Sequence, residues 1–199
     1  MNAIRLALLA AAALCCACGP AVPKYDYAKE PDPRVSEYVF GVADQLSIRI
    51  WQNNELTTDA VIRPDGNITL PLVGDVRAVG ETVSSLKAKI HKALSDYGKF
   101  PLSEITISVT GFNSYRFTVS GEVVRPGVFS QTGYATVAEA IAQAGGFTRF
   151  AKRNEMVLMR RDPKTGQTRT IPLVYDLLAS GKRPDMNIVL ITGDSLFVP

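Results

Sequence analysis

The chain is poor in the residues that carry most enzyme and metal chemistry. Of 199 residues, three are cysteine, one is histidine and one is tryptophan. Cys15, Cys16 and Cys18 all lie at the N-terminus, so no disulfide framework is available to the rest of the chain. No Cys/His set has the spacing of a zinc site. His91 follows Ile90 at the edge of an apolar helical stripe, and reads as a rim histidine because no cysteine nucleophile or second histidine stands ready to work with it. There is no basic block with interleaved aromatics, which argues against nucleic acid as a partner. Gly145 and Gly146 follow a helical pattern, whereas phosphate-cradling glycines precede one. No cofactor, metal or catalytic set is therefore expected. Past residue 18 no apolar run approaches the roughly 20 residues of a membrane-spanning helix, and 188–191, as long as any, suits one strand.

What the N-terminus does have is a secretory pattern. Arg5 supplies a short positive region, residues 6–14 are apolar, and small Ala17 precedes Cys18. Residues 1–17 read as a signal peptide, and the segment resembles a bacterial lipoprotein signal. That resemblance implies acylation of Cys18, with Cys16 as the alternative, and Gly19 after the anchor implies the outer membrane. Residues 18–36, with prolines at 20, 23, 31 and 33 among polar residues, read as an extended tether. At about 3.1 Å per residue it would reach up to about 50 Å.

Residues 37–112 read as a first domain. Leu46, Ile48 and Ile50 alternate with polar neighbours as a strand does. Pro64, Asp65 and Gly66 have turn chemistry, and Ile68, Leu70 and Leu72 follow at period two, so a hairpin is expected over 61–76. Pro71 is expected at an edge or bulge, and Gly74 with Asp75 in a second turn. Asp65 and Asp75 could pass for paired catalytic carboxylates, but their place beside turn glycines assigns them to turn structure. Val83, Leu86, Ile90, Leu94 and Tyr97 mark one face of a helix, with Thr82 as N-cap and Gly98 just past its end. Ile105, Ile107 and Val109 return to a strand. The expectation is α+β, a small mixed sheet with one covering helix.

Residues 113–199 read as a second domain. Tyr115, Phe117 and Val119 alternate as a strand, and Pro126 with Gly127 stands in type II turn order. Thr136 and Glu139 form a capping-box pattern ahead of a short helix that ends at Gly145 and Gly146. Strand patterns at 156–160 and 168–173 flank a turn at 162–166, and Gly193 with Asp194 opens the last strand.

The order of these pieces resembles the outer-membrane polysaccharide export family. The Asp65, Gly66, Ile68, Leu70, Pro71, Gly74 run and the Gly80, Thr82 helix start match its export domain. Its Gly-x-Gly-Asp turn appears as Gly41, Val42, Ala43 and Asp44, with alanine in place of the second glycine. Gly121 to Gly127, Thr136 to Gly146 and Gly193 to Pro199 resemble the SLBB β-grasp domain that follows it. The resemblance implies a homo-oligomeric ring guiding a polysaccharide, driven by an inner-membrane polysaccharide co-polymerase. With only one β-grasp pattern before Pro199, a separate outer-membrane β-barrel is expected to complete the exit, and the protein itself to be a lipid-anchored periplasmic ring at the outer membrane. Two other readings stay open: a lipoprotein that binds glycan without forming a conduit, and a lipid-anchored glycan hydrolase, which lacks a visible site.

Overall fold

Leu46, Ile48 and Ile50 sit on one face of β1 (Gln45–Ile50), and all three are buried. In the computed structural model, which describes residues 22–98, 100–162 and 165–199, β1 is the middle of a three-stranded sheet. Its neighbours are β2 (Thr58–Val61) and β5 (Ile105–Gly111), both antiparallel. Helix α1 (Val83–Leu94) packs beside β5 and buries Leu86, Ile90 and Leu94 in the same core. Each such side chain contributes about 1.5–3 kcal/mol by leaving water. Thr82 starts the helix through a capping box, its backbone N–H donating to the Ser85 hydroxyl at 2.8 Å and its own hydroxyl oxygen accepting the Ser85 N–H at 3.3 Å. Cys16, Cys18 and the signal pattern lie outside the described residues, as do Pro163 and Lys164 of the 162–166 turn.

The hairpin is displaced from where the sequence pattern puts it. β3 (Asn67–Leu70) pairs with β4 (Gly74–Arg77), while β2 pairs with β1, so the turn at Pro64 to Gly66 links two sheets. Pro71 is neither edge nor bulge; it opens the turn at 71–73, because a residue without an N–H cannot extend the ladder beyond Leu70. Leu72 is consequently exposed, with φ +64°, and Gly74 starts β4 opposite Leu70 instead of making a second turn. Helix α1 ends earlier than the stripe implies. Ser95 is its C-cap, Tyr97 is exposed, and Gly98 does not take the left-handed conformation of a helix-ending glycine.

The second domain is a five-stranded mixed sheet in the order β7-β6-β10-β8-β9. Its strands are β6 (Arg116–Gly121), β7 (Gly127–Ser130), β8 (Met156–Arg161), β9 (Thr168–Leu173) and β10 (Ser195–Val198). β6 and β10 run parallel; the other pairs are antiparallel. Helices α2 (Val137–Gln143) and α3 (Tyr175–Ala179) complete the domain, and α2 begins with the Thr136–Glu139 capping box and ends at Gly145 and Gly146, φ +80° and +85°. Gly127 is not the left-handed residue of a type II turn; it begins β7 opposite Val119. That conformation belongs to Gly121, φ +88°, where a Cβ would come within 1.9 Å of the Val198 carbonyl oxygen. Residues 188–191 make a single bridge, Val189 to Thr136, and no strand.

The proline-rich segment is not extended over its whole length. Tyr27 is buried in the second-domain core and donates its hydroxyl to the Pro172 carbonyl at 2.5 Å. Glu30 is buried against Arg160 at 2.8 Å. Composition alone favours a tether; two tyrosines and a carboxylate with a buried cation to meet outweigh it. Both ends of the described chain therefore build the second domain.

Candidate functional site

The signature residues of the sequence do not converge on one site. They gather in three places. The first is the junction of the two domains. Asp44 is fully buried, just before β1, where its carboxylate accepts the N–H groups of Gly41, Asn113 and Ser114, each at 2.8 Å. It also accepts the hydroxyls of Tyr38 and Ser114, each at 2.9 Å. Burial, first, pushes the Tyr38 phenol well above its ordinary range, and the neighbouring Asp44 charge adds to this. The Tyr38 ring meets Phe112 edge-on at 5.0 Å. Ala43 stands where the family's motif has glycine and takes φ +75°, the glycine conformation, with its N–H donating to Ile62 at 2.8 Å. A groove of about 730 Å³ opens beside this junction, lined by Phe40, Val42, Arg116, Tyr134 and Ile191 among others.

The second place is the loop pair around β3 and β4. Arg63, which the sequence reading passed over, bridges Asp65 and Asp75, 2.7 Å from each, and donates to the Thr69 hydroxyl. Asp65 also accepts the Asn67 N–H. The Arg63 guanidinium holds Asp65 down to about 2 and lowers Asp75 as well. Carboxylates kept ionised in this way are turn fasteners, poorly suited to proton transfer at neutral pH. Gly66, φ +84°, accepts the N–H groups of Ala78 and Val79, and a Cβ there would lie 2.4 Å from Val79 Cγ1. Pro64 is exposed beside it.

The third place is inside the second domain. Arg160 is fully buried and donates to Asp194 from Nε, to Oδ1 at 3.0 Å and Oδ2 at 3.3 Å, and from Nη2 to Oδ2 at 2.6 Å. Its Nη1 donates to Glu30, and Nη2 also donates to the Val189 carbonyl at 2.8 Å. Burial pushes the Asp194 carboxyl up, against the pull of Arg160. Arg160 was detectable in the sequence: Met156, Leu158 and Arg160 alternate, which puts an arginine on the buried face of β8. Pro126 and Gly127 are exposed and belong to none of these networks.

Outside these networks, Trp51 stands exposed at the rim of a groove of about 520 Å³ just past β1. His91 is half-buried on α1. Among the described residues no group of three or more His, Cys, Asp or Glu is placed to hold a metal ion, and no helix is long and apolar enough to cross a membrane.

Two small α+β sheet-and-helix units follow one another in the chain, with a buried carboxylate bonded across their junction. Residues 32–110 match the family described as polysaccharide biosynthesis/export protein, and residues 116–172 match the SLBB domain. The chain belongs to the polysaccharide export protein family. It is 32% identical over 156 residues to the exopolysaccharide production protein ExoF of Rhizobium meliloti, covering 73% of this chain and 34% of that protein. It is 26% identical over 185 residues to the EPS I polysaccharide export outer membrane protein EpsA of Ralstonia nicotianae, covering 81% and 47%. With the polysialic acid transport protein KpsD of Escherichia coli it shares 24% over 148 residues, covering 73% and 25%. The chain thus spans less than half the length of each of these relatives.

Proposed function

We propose that this chain is a subunit of an oligomeric conduit that exports capsular or exopolysaccharide, held at the outer membrane by a lipid on Cys18 and facing the periplasm. The names of the relatives, which include polysaccharide export and an outer membrane protein, support the export role. The observation that carries the conduit reading is the Asp44 junction. A subunit that stacks two domains around one axis needs their mutual orientation fixed, and a buried carboxylate with donors from both sides of residue 112 does this.

The polymer's demand on such a conduit is for weak, polar, repeated contacts, because a tight site would stall it. This reading calls for an inner-membrane co-polymerase to drive passage and a separate outer-membrane β-barrel for exit. Electron microscopy of the lipidated protein in detergent tests it. Closed rings are expected; a monomer at every concentration would favour a glycan-binding lipoprotein instead.

A further inference from the structure

The loop that follows β1 holds an aromatic ring out of the core at a cost to the backbone. Trp51 is 67% exposed, although tryptophan is among the side chains with the most surface to gain by burial. Gln52, next to it, takes φ +59°, a left-handed conformation that persists in a non-glycine residue only where its surroundings impose it. They do so here. The Trp51 N–H donates to the Glu104 carbonyl at 3.0 Å, the Asn53 N–H donates to Ile50 at 3.1 Å, and the Asn53 amide donates to the Trp51 carbonyl at 2.9 Å. The loop is fastened to the start of β5, and the indole is left at the rim of the 520 Å³ groove.

The polar walls of that groove have spare capacity. Gln52, Asn54, Glu104 and Thr106 line it, and none of their side chains makes a hydrogen bond within the described residues. Arg49, the remaining charged wall, is paired with Asp59 at 3.0 Å. The groove therefore offers an apolar ring face, amide and hydroxyl groups that both donate and accept, and one charge with no ion-pair partner among the described residues, the Glu104 carboxylate.

We propose that this groove is a contact site for the exported polymer, taking uncharged, hydroxyl-rich sugar units. A sugar ring has a C–H face to lay on the indole and a rim of hydroxyls to meet Gln52, Asn54 and Thr106. The Glu104 carboxylate, without an ion-pair partner among the described residues, disfavours acidic sugars. The free polar walls also distinguish it from the centre of a subunit interface, which is depleted of charge and closely packed. The hydrogen bonds at Trp51 and Asn53 fasten the loop that carries the indole, and one ring face with a few hydroxyl contacts is small enough to bind weakly and release readily. The inference rests on the export reading for the identity of its ligand.

Trp51 is the only tryptophan in the chain, so intrinsic fluorescence reports this groove directly. The lipidated protein in detergent is titrated with oligosaccharides cut from the producing cells' own surface polymer. Dextran and alginate oligomers of matched length serve as neutral and anionic comparisons. A saturable change in Trp51 emission is expected with the cells' own oligomers, at a dissociation constant of about 1 mM, and with dextran in preference to alginate. Gln52→Ala should weaken binding about 3- to 10-fold. In cells, Trp51→Ala should lower surface polymer while subunits still assemble, and Trp51→Phe should restore most of it. An emission that does not respond to any oligomer, or responds better to alginate, overturns the proposal. So does an emission change on subunit assembly alone, which makes the groove a contact between copies. A monomer that still binds sugar would sink the conduit and leave this site standing; rings with a silent Trp51 would do the reverse.

Discussion

The carboxylate of Asp44 accepts the backbone N–H of Ser114 at 2.8 Å across 70 residues of chain. It ties the turn just before β1 to the chain just before β6. Asp44→Ala would leave the N–H groups of Gly41, Asn113 and Ser114 without that partner in a buried setting. A loss on the order of 3 kcal/mol is expected from such orphaned donors. Chemical denaturation measures it, and limited proteolysis should show new cleavage near residue 112. A variant of unchanged stability with no new cleavage would mean that the domains are held by packing alone.

Ala43 and Gly66 make opposite predictions from the same conformation. Ala43 takes φ +75° with a side chain that disfavours it, so Ala43→Gly should stabilise the protein by about 1 kcal/mol. For a chain of this size that is a rise of about 2–4 °C in Tm. Gly66→Val adds a branched Cβ at φ +84° against Val79 and should cost about 1–3 kcal/mol, with loss of polymer at the cell surface. Thermal unfolding of the two variants should move in opposite directions.

Arg160 is the buried cation between Asp194 and Glu30, and Arg169 meets Glu30 from the surface at 2.9 Å. Arg160→Leu leaves Asp194 in the core without its partner, and a cost of about 3–5 kcal/mol is expected. Glu30→Ala is a gentler cut, because Asp194 still holds Arg160. It should free the N-terminal segment and let trypsin cut after Lys29, whose side chain is already exposed but whose backbone is held in place, while the second domain stays folded. Unchanged protection of Lys29 would show that Tyr25 and Tyr27 hold the segment without the carboxylate.

The Arg63 clamp gives a pH dependence with a definite sign. Asp65 titrates near 2 in the folded chain, below the roughly 3.9 of an unfolded aspartate. The clamp's contribution is complete above about pH 4 and is lost as pH falls through about 2. Arg63→Gln should therefore differ from the parent in stability near neutral pH, and the difference should shrink between about pH 4 and pH 2. Raised salt should shrink it too, since these groups are solvent-exposed. A gap that stays constant down to pH 2 would assign the effect to lost packing.

Local chemistry was readable in the sequence wherever neighbours in the chain settle it. The buried face of β1, the stripe of Leu86, Ile90 and Leu94, and the Thr136–Glu139 box all follow from spacing. Strand partners do not. Period two tells which face of a strand is buried but not what lies beside it, which is why β3 was assigned to the wrong neighbour. Leu72 misled because an apolar residue in a hairpin turn keeps the phase of the strand before it. The role of Glu30 was invisible for another reason: its partner lies 130 residues away, on a strand whose buried arginine gives no sign of where its acids are. Arg63 shows the milder case, a residue within reach of both aspartates that composition cannot single out.

The shared grip on Arg160 also sets the order in which the molecule can be made. A chain synthesised or threaded through a membrane emerges N-terminus first. By the time residue 111 is out, every strand of the first sheet is present, and that domain can close on its own core. The second domain cannot. Tyr27 and Glu30 emerge among the earliest described residues, yet their seat includes β10 and Asp194, nearly the last. Until then the early segment needs shielding, as does the core-facing side of β8 once that strand is made, and contacts this far apart in sequence form slowly. The first domain is in effect a loop inserted in the second, and it matures while its host is still waiting for its final strand.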